Sequence, residues 1–289
     1  MKGHYTNILV PTDFSEQSLF ALEQAYALAK LLNVEITLLH VIPEGGTIFP
    51  FGLLSKEPTE KEKADYDEAC FSRLQEISQK EYKKSWIKVN PLLLHGKVHE
   101  KILEFAKDIY ARFIVIGTNS SDPIKKKYFI GSTTSKVLNE AACPILTVNG
   151  SDVRENFETI ILPLDLSKQT VQKVSKAIDI AKYYNSTIRV VSILLTDEPA
   201  VVKQITQQLD EVKIYIQKRD IYVTGQIIRG DKIMGSLSSF VLDYAYEVDG
   251  DLIMIVTNQE INKRSWFLGS NDVDIVSDSK IPVLSVVPK

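Results

Sequence analysis

Short apolar runs alternate with longer stretches of helical spacing along this chain, and the same order is traversed twice. Ile8 to Pro11 is a short run with β-branched residues, the pattern of a strand buried on both faces. Ser15 opens a helix to Leu32, with Leu19, Leu22, Ala25, Tyr26 and Ala29 at helical spacing. Val34–Ile42 is the second strand, and a Gly-, Pro- and aromatic-rich loop follows from Glu44 to Thr59. A charged helix is predicted over Thr59–Lys83, a strand over Ile87–Leu94, a helix over Val98–Tyr110 and a strand over Phe113–Ile116. Ser132–Ala142 and Ile145–Val148 complete the series as helix and strand.

The second series reads Thr159–Pro163, Lys168–Tyr184, Thr187–Leu194, Pro199–Lys218, Tyr222–Ile228, Lys232–Tyr246, Leu252–Val256, Asn271–Ser279 and Val283–Val287. Strands alternating with helices predict an α/β fold with a parallel sheet. The duplication is also literal. NILVPTDFS, from Asn7 to Ser15, answers TIILPLDLS, from Thr159 to Ser167, at an offset of 152. Gly131-Ser132 answers Gly269-Ser270 at an offset of 138, so the second copy has lost residues in its middle, including any counterpart of the Glu44–Thr59 loop. A repeat of this length is a copied domain rather than a solenoid unit. The expected units are 1–150 and 156–289, divided by the polar SDVREN stretch.

Composition narrows the function classes. The 289 residues suit two domains, and a 44% hydrophobic share gives each a core of its own. A net charge of -3 offers no strong pull toward nucleic acid or an anionic membrane. Cys70 and Cys143 hold non-equivalent places in the repeat, which argues against a disulfide framework and fits a reducing, cytoplasmic setting. No apolar run is long enough to span a bilayer, and the first residues lack a signal peptide's apolar segment.

The chemistry concentrates at predicted strand ends of the first copy. In an open parallel sheet, ligands sit beyond the carboxyl ends of strands where the strand order reverses. Thr12-Asp13, Val41 and Gly117 follow the ends of strands one, two and four, and Gly131-Ser132 begins a helix. A helix start offers free N–H groups and partial positive charge, which suit a phosphate, with hydroxyls from Ser132 and Thr133 alongside. Lys125-Lys126-Lys127 lie in the same loop. Each element also has a structural reading: Asp13 as an aid to capping, Ser132 as a plain N-cap, the lysines as a solvated loop. In the second copy Asp165 and Gly269-Ser270 persist. Gly117 becomes Val256, Gln259 stands where Ser120 does, and Thr133-Thr134 become Asn271-Asp272. The Val256 side chain is expected to intrude where backbone must meet ligand, and a first-turn carboxylate to repel phosphate, so no ATP is expected there.

Both halves resemble the universal stress protein family, as a tandem of two such domains. The resemblance is carried by ILVPTDFS, Gly96 before the third helix, IVIGTNSS, GSTTSKVL and CPILTV. It implies two adenine nucleotide alpha hydrolase-like domains, each a doubly wound five-stranded parallel sheet of order 3-2-1-4-5. It also implies an antiparallel meeting of their last strands within one chain, which would remove two open edges. Members with a nucleotide site carry a glycine, two residues, a second glycine, nine residues, then glycine with Ser or Thr. This chain has Gly117, then Ser120 in the second glycine position, then ten residues before Gly131-Ser132. By resemblance, Thr12, Asp13 and Val41 would hold the nucleoside end of ATP or AMP. Gly117, Ser120, Gly131, Ser132 and Thr133 would hold ribose and phosphates, with Mg2+ accompanying ATP. The implied function is a regulatory nucleotide module in stress response, with nucleotide in the first domain only and with protein partners unspecified. A nucleotide-free interaction scaffold, a weak ATPase and an apolar ligand under the Glu44–Thr59 loop remain as alternatives.

Other constellations carry less. His95 and His99 are four apart, but Gly96 breaks the helical geometry that a shared metal would need. His40 reads as a packed histidine in an apolar strand, and Cys143 as a buried thiol. There is no GxGxxG, GxxxxGK[ST] or GxSxG motif, and no base and oriented nucleophile for catalysis stand out.

Overall fold

A computed structural model describes residues 7–44, 59–118, 130–150, 152–164, 170–230, 235–256 and 270–287. The first half runs β1 (Asn7–Pro11), α1 (Glu16–Leu32), β2 (Glu35–Ile42), α2 (Glu60–Ser85), β3 (Val89–His95), α3 (Val98–Asp108), β4 (Phe113–Gly117), α4 (Ser132–Glu140) and β5 (Ile145–Val148). The second runs β6 (Thr159–Leu164), α5 (Thr170–Tyr184), β7 (Thr187–Leu194), α6 (Pro199–Gln217), β8 (Val223–Arg229), α7 (Leu237–Glu247), β9 (Leu252–Val256), α8 (Ser270–Asp278) and β10 (Val283–Val286).

The strands form a single ten-stranded sheet of order β3-β2-β1-β4-β5-β10-β9-β6-β7-β8. Read inward from either edge, each half has the doubly wound 3-2-1-4-5 order, and all pairs within a half are parallel. The join is the antiparallel pair β5–β10, with Leu146 opposite Leu284, as the resemblance implies. Both edges that this pair would otherwise expose are closed within one chain.

The helices cover both faces, so central strands are buried throughout and mostly apolar: β5, β9 and β10 are buried at every position, Thr147 and Ser285 being the polar exceptions. One core contains Val10, Ala25 and Val115 of the first half with Ile160, Val174 and Val256 of the second. The other contains Leu9, Ile116 and Val137 with Ile161, Ile255 and Val276. Each core therefore spans both halves.

Helix α1 shows how local signals set the frame. The Ser15 side chain caps it by accepting the Ser18 N–H, and Asn33 ends it in the left-handed conformation, where short polar side chains are tolerated. The segment joining the halves is bound along this helix. Gln24, with no exposed surface, donates its amide to the Arg154 carbonyl and accepts the Arg154 N–H, both at 2.8 Å. Gln17 accepts the Gly150 N–H at 3.2 Å, and Gly150 has φ +113, a conformation that excludes side chains. Arg154 also pairs with Asp251 at 3.5 Å, and Tyr183 of α5 donates to the Leu31 carbonyl of α1 at 2.9 Å.

Element ends differ from the sequence expectation at a few places. Helix α7 begins at Leu237 rather than Lys232, because Ser236 is its N-cap and accepts the Ser239 N–H. Helix α4 stops at Glu140, since Ala141 is already extended ahead of Cys143-Pro144. Strand β3 starts at Val89, after Trp86 turns the chain with φ 60.

Candidate functional site

The order of the first half reverses between β1 and its neighbours β2 and β4, and the crevice beyond their carboxyl ends is the ligand position of such sheets. Register fixes what lies level there. Pro11 pairs with Leu39, so Thr12 continues level with His40 and Asp13 with Val41. Leu9 pairs with Ile114, so Thr12 also continues level with Gly117. Four of the expected residues, Thr12, Asp13, Val41 and Gly117, thus share one rim.

The turn after β1 is held by a compact network. The Thr12 N–H donates to the Leu39 carbonyl at 2.8 Å, and the Phe14 N–H donates to Thr12 Oγ1 at 3.0 Å. The Ser18 hydroxyl donates to the Ser15 carbonyl at 2.9 Å, so the 2.8 Å contact between Thr12 Oγ1 and Ser18 Oγ has Thr12 as donor. Asp13 accepts both the N–H and the hydroxyl of Ser15 on Oδ1. Its role toward α1 is therefore to orient the capping serine, and its Oδ2 has no partner among the described residues. Asp13 is exposed, while Thr12 and Val41 are buried at the 6% and 5% level.

Across the rim, the first turn of α4 is open. Gly131, not Ser132, is the N-cap, and no side chain caps this end. Ser132 is the first helical residue, which corrects the reading of it as a plain cap. Among the described residues, no acceptor meets the N–H groups of Ser132, Thr133 and Thr134. Gly131 has φ -52 and ψ 145, ordinary for any residue, and a Cβ placed on it would have nothing within 4 Å. So neither the backbone nor the packing of the described residues requires glycine here; among those residues its missing side chain leaves room in front of three amides without acceptors. The ends of the connecting loop are pinned: the Gly131 N–H donates to the Thr118 carbonyl at 3.4 Å, and the Thr134 hydroxyl to the Gly117 carbonyl at 3.2 Å. Ser120 and Lys125-Lys126-Lys127 lie outside the described residues, as does nearly all of the Glu44–Thr59 loop.

Gly117 is a glycine for a different reason. A Cβ there would lie 2.8 Å from the Gln17 carbonyl oxygen and 2.9 Å from its carbon, inside the backbone of α1. Its missing side chain faces the helix, not a ligand. Val256, at the matching place in the second half, is likewise buried in the core beside α5, with Val174 and Leu164 in the same cluster. This corrects the expectation that Val256 projects into the ligand space. Asp165, Gln259 and Gly269 lie outside the described residues.

The remaining constellations resolve simply. His95 Nε2 meets Asp67 Oδ1 at 3.1 Å, and among the described residues no three His, Cys, Asp or Glu side chains gather as a metal site. Among the same residues no helix is long and apolar enough to cross a membrane. Burial pushes the Cys143 thiol up to about 11, because the thiolate is poorly solvated there. Alkylation of native Cys143 by iodoacetamide is expected to be slow at pH 7 and to accelerate as pH approaches that value. Labelling at pH 7 as fast as that of a free cysteine, read by mass spectrometry, would contradict this.

Comparison with known proteins agrees with the duplicated architecture. The model of the universal stress protein family matches residues 4–149 and again 156–287. Universal stress protein MJ0577 of Methanocaldococcus jannaschii is 30% identical over 159 residues, 51% of this chain and 97% of its own length. Universal stress protein MJ0531 of the same organism is 30% identical over 151 residues, 50% of this chain and 82% of its own. A universal stress protein from Archaeoglobus fulgidus, solved by crystallography, superposes with a TM-score of 0.76 at 20% identity, covering 98% of this chain and 96% of that one, a likeness of fold across both halves. With the family pattern found twice over a sheet of matching order, the chain belongs to the universal stress protein family.

Proposed function

We propose that the first half binds an adenine nucleotide, ATP or AMP, and that the protein acts as a nucleotide-responsive module in stress response. The nucleoside end lies against Thr12, Asp13 and Val41; ribose and phosphates lie along Gly117, Ser120, Gly131, Ser132 and Thr133. The observation that carries this reading is the start of α4, which among the described residues has no side-chain cap and nothing standing before Gly131, on the rim of the switch-point crevice. Free amides at a helix N-terminus are satisfied by a phosphate at little cost, since they are already oriented. Mg2+ would accompany ATP through the phosphate oxygens, offsetting their charge. The second half supplies the mating strand β10 and half of each core, and we assign it no nucleotide. Nucleotide occupancy shifts the population of the state that partners recognise.

Titration calorimetry of the full chain with ATP, ADP and AMP tests this. A saturable heat with one nucleotide per chain is expected, together with an adenine nucleotide in native mass spectra of the purified protein. No heat with any of the three would leave the nucleotide-free scaffold as the better reading. Two nucleotides per chain would overturn the assignment to the first half alone.

A further inference from the structure

We propose that His40 is a positioning residue of the first crevice: its ring holds the Thr12–Phe14 turn in the shape that presents Asp13 to the nucleoside. The inference rests on the nucleotide reading above and names one residue that makes the site competent.

The geometry is specific. His40 Nδ1 lies 2.7 Å from the Thr12 carbonyl oxygen. A carbonyl only accepts, so His40 donates, and its neutral form carries the proton on Nδ1. The same ring packs against Phe14, with centroids 4.4 Å apart and planes 32° from parallel. Phe14 has φ 65, a conformation that bulky residues adopt only when their surroundings over-determine it. His40 supplies two of those constraints, one on the carbonyl at the start of the turn and one on the ring at its strained residue. The others are the Thr12 N–H bond to Leu39 and the Phe14 N–H bond to Thr12 Oγ1.

The second half offers an internal comparison. Pro11 pairs with Leu39 and Pro163 with Val191, so Ser192 occupies the His40 place in register. Ser192 is 1% exposed, and its hydroxyl has no hydrogen-bond partner among the described residues. A serine at this position is too short to reach across to the end of the neighbouring strand. The copy to which we assign no nucleotide is also the copy without this tie.

The test uses the full chain and three probes: adenosine, AMP and inorganic pyrophosphate. His40→Ser is expected to weaken adenosine and AMP by about tenfold, the effect of leaving a polar group of the turn unpaired. Pyrophosphate, which needs only the start of α4, is expected to bind the variant as it binds the wild type. His40→Asn places an amide donor near the Nδ1 position and is expected to recover most of the AMP affinity. Long-range ¹H–¹⁵N NMR of the ligand-free protein is expected to show a proton on Nδ1 of His40. Unchanged AMP binding in His40→Ser, equal losses for AMP and pyrophosphate, no recovery in His40→Asn, or an Nε2-only proton would each overturn the proposal. A wild-type protein that binds no AMP overturns the nucleotide reading itself and this inference with it. A wild type that binds AMP beside an unaffected His40→Ser overturns this inference alone.

Discussion

Gly131→Asp is expected to raise the stability of the protein while sharply lowering its nucleotide affinity. Residue 131 has an ordinary extended backbone, and no described residue lies within 4 Å of where a Cβ would stand. Aspartate is among the best N-cap residues, and its carboxylate accepts the amides two and three residues on. Those are the amides of Thr133 and Thr134, now without acceptors among the described residues. The change also removes a glycine's freedom from the unfolded chain. Together these are worth roughly 0.5–1 kcal/mol, a rise in thermal midpoint of about 1–3 °C for a chain of this size. The same carboxylate occupies the place of the phosphate and adds a like charge, so nucleotide affinity falls by on the order of 100-fold. Few substitutions move stability and binding in opposite directions for one reason. Scanning fluorimetry with and without AMP reads both. A variant that loses stability and keeps its AMP-induced shift would show that the start of α4 is not the phosphate site.

Gly117→Val has the reverse signature. It installs the residue that the second half carries at the matching place, yet it is expected to be strongly destabilising. The first added carbon would fall within 3 Å of two backbone atoms of Gln17, and backbone cannot swing aside as a side chain does. Helix α1 must move off the sheet, at a cost of about 1–3 kcal/mol or more. Gln17 also holds the Gly150 N–H, so the displacement reaches the segment between the halves. A drop in thermal midpoint of several degrees is expected from about 2–4 °C per kcal/mol, with Gly117→Ala showing a smaller drop of the same sign. A Gly117→Val protein as stable as the wild type would mean that α1 has slack which the contact distances do not suggest.

Much of this architecture is legible in the sequence, because its signals are local. Apolar runs gave strands, Ser15 gave the start of α1, and the repeat gave the second half from the first. The errors came where the deciding contact is distant or competes with a stronger local pattern. Ile233 and Met234 look helical, and they hid the capping serine at 236. Gly117 could be recognised as important, but not why, since its reason is the backbone of a helix a hundred residues earlier. His40 looked like core because its neighbours are apolar. Its bond is to the end of the adjacent strand, which only register reveals. Ser120 remains a position assigned by resemblance, and the Glu44–Thr59 loop a reading of composition, since both lie almost wholly outside the described residues.

The antiparallel β5–β10 pair has a consequence for how the two crevices can diverge. Two separate chains that met through such strands would part on dilution, and each would have to keep a surface fit for its twin. Here the twin is tethered, so the encounter is unimolecular and its strength does not depend on how much protein the cell makes. Selection can then treat the copies unequally. One is free to drift at its strand ends while its final strand continues to complete the sheet for the other.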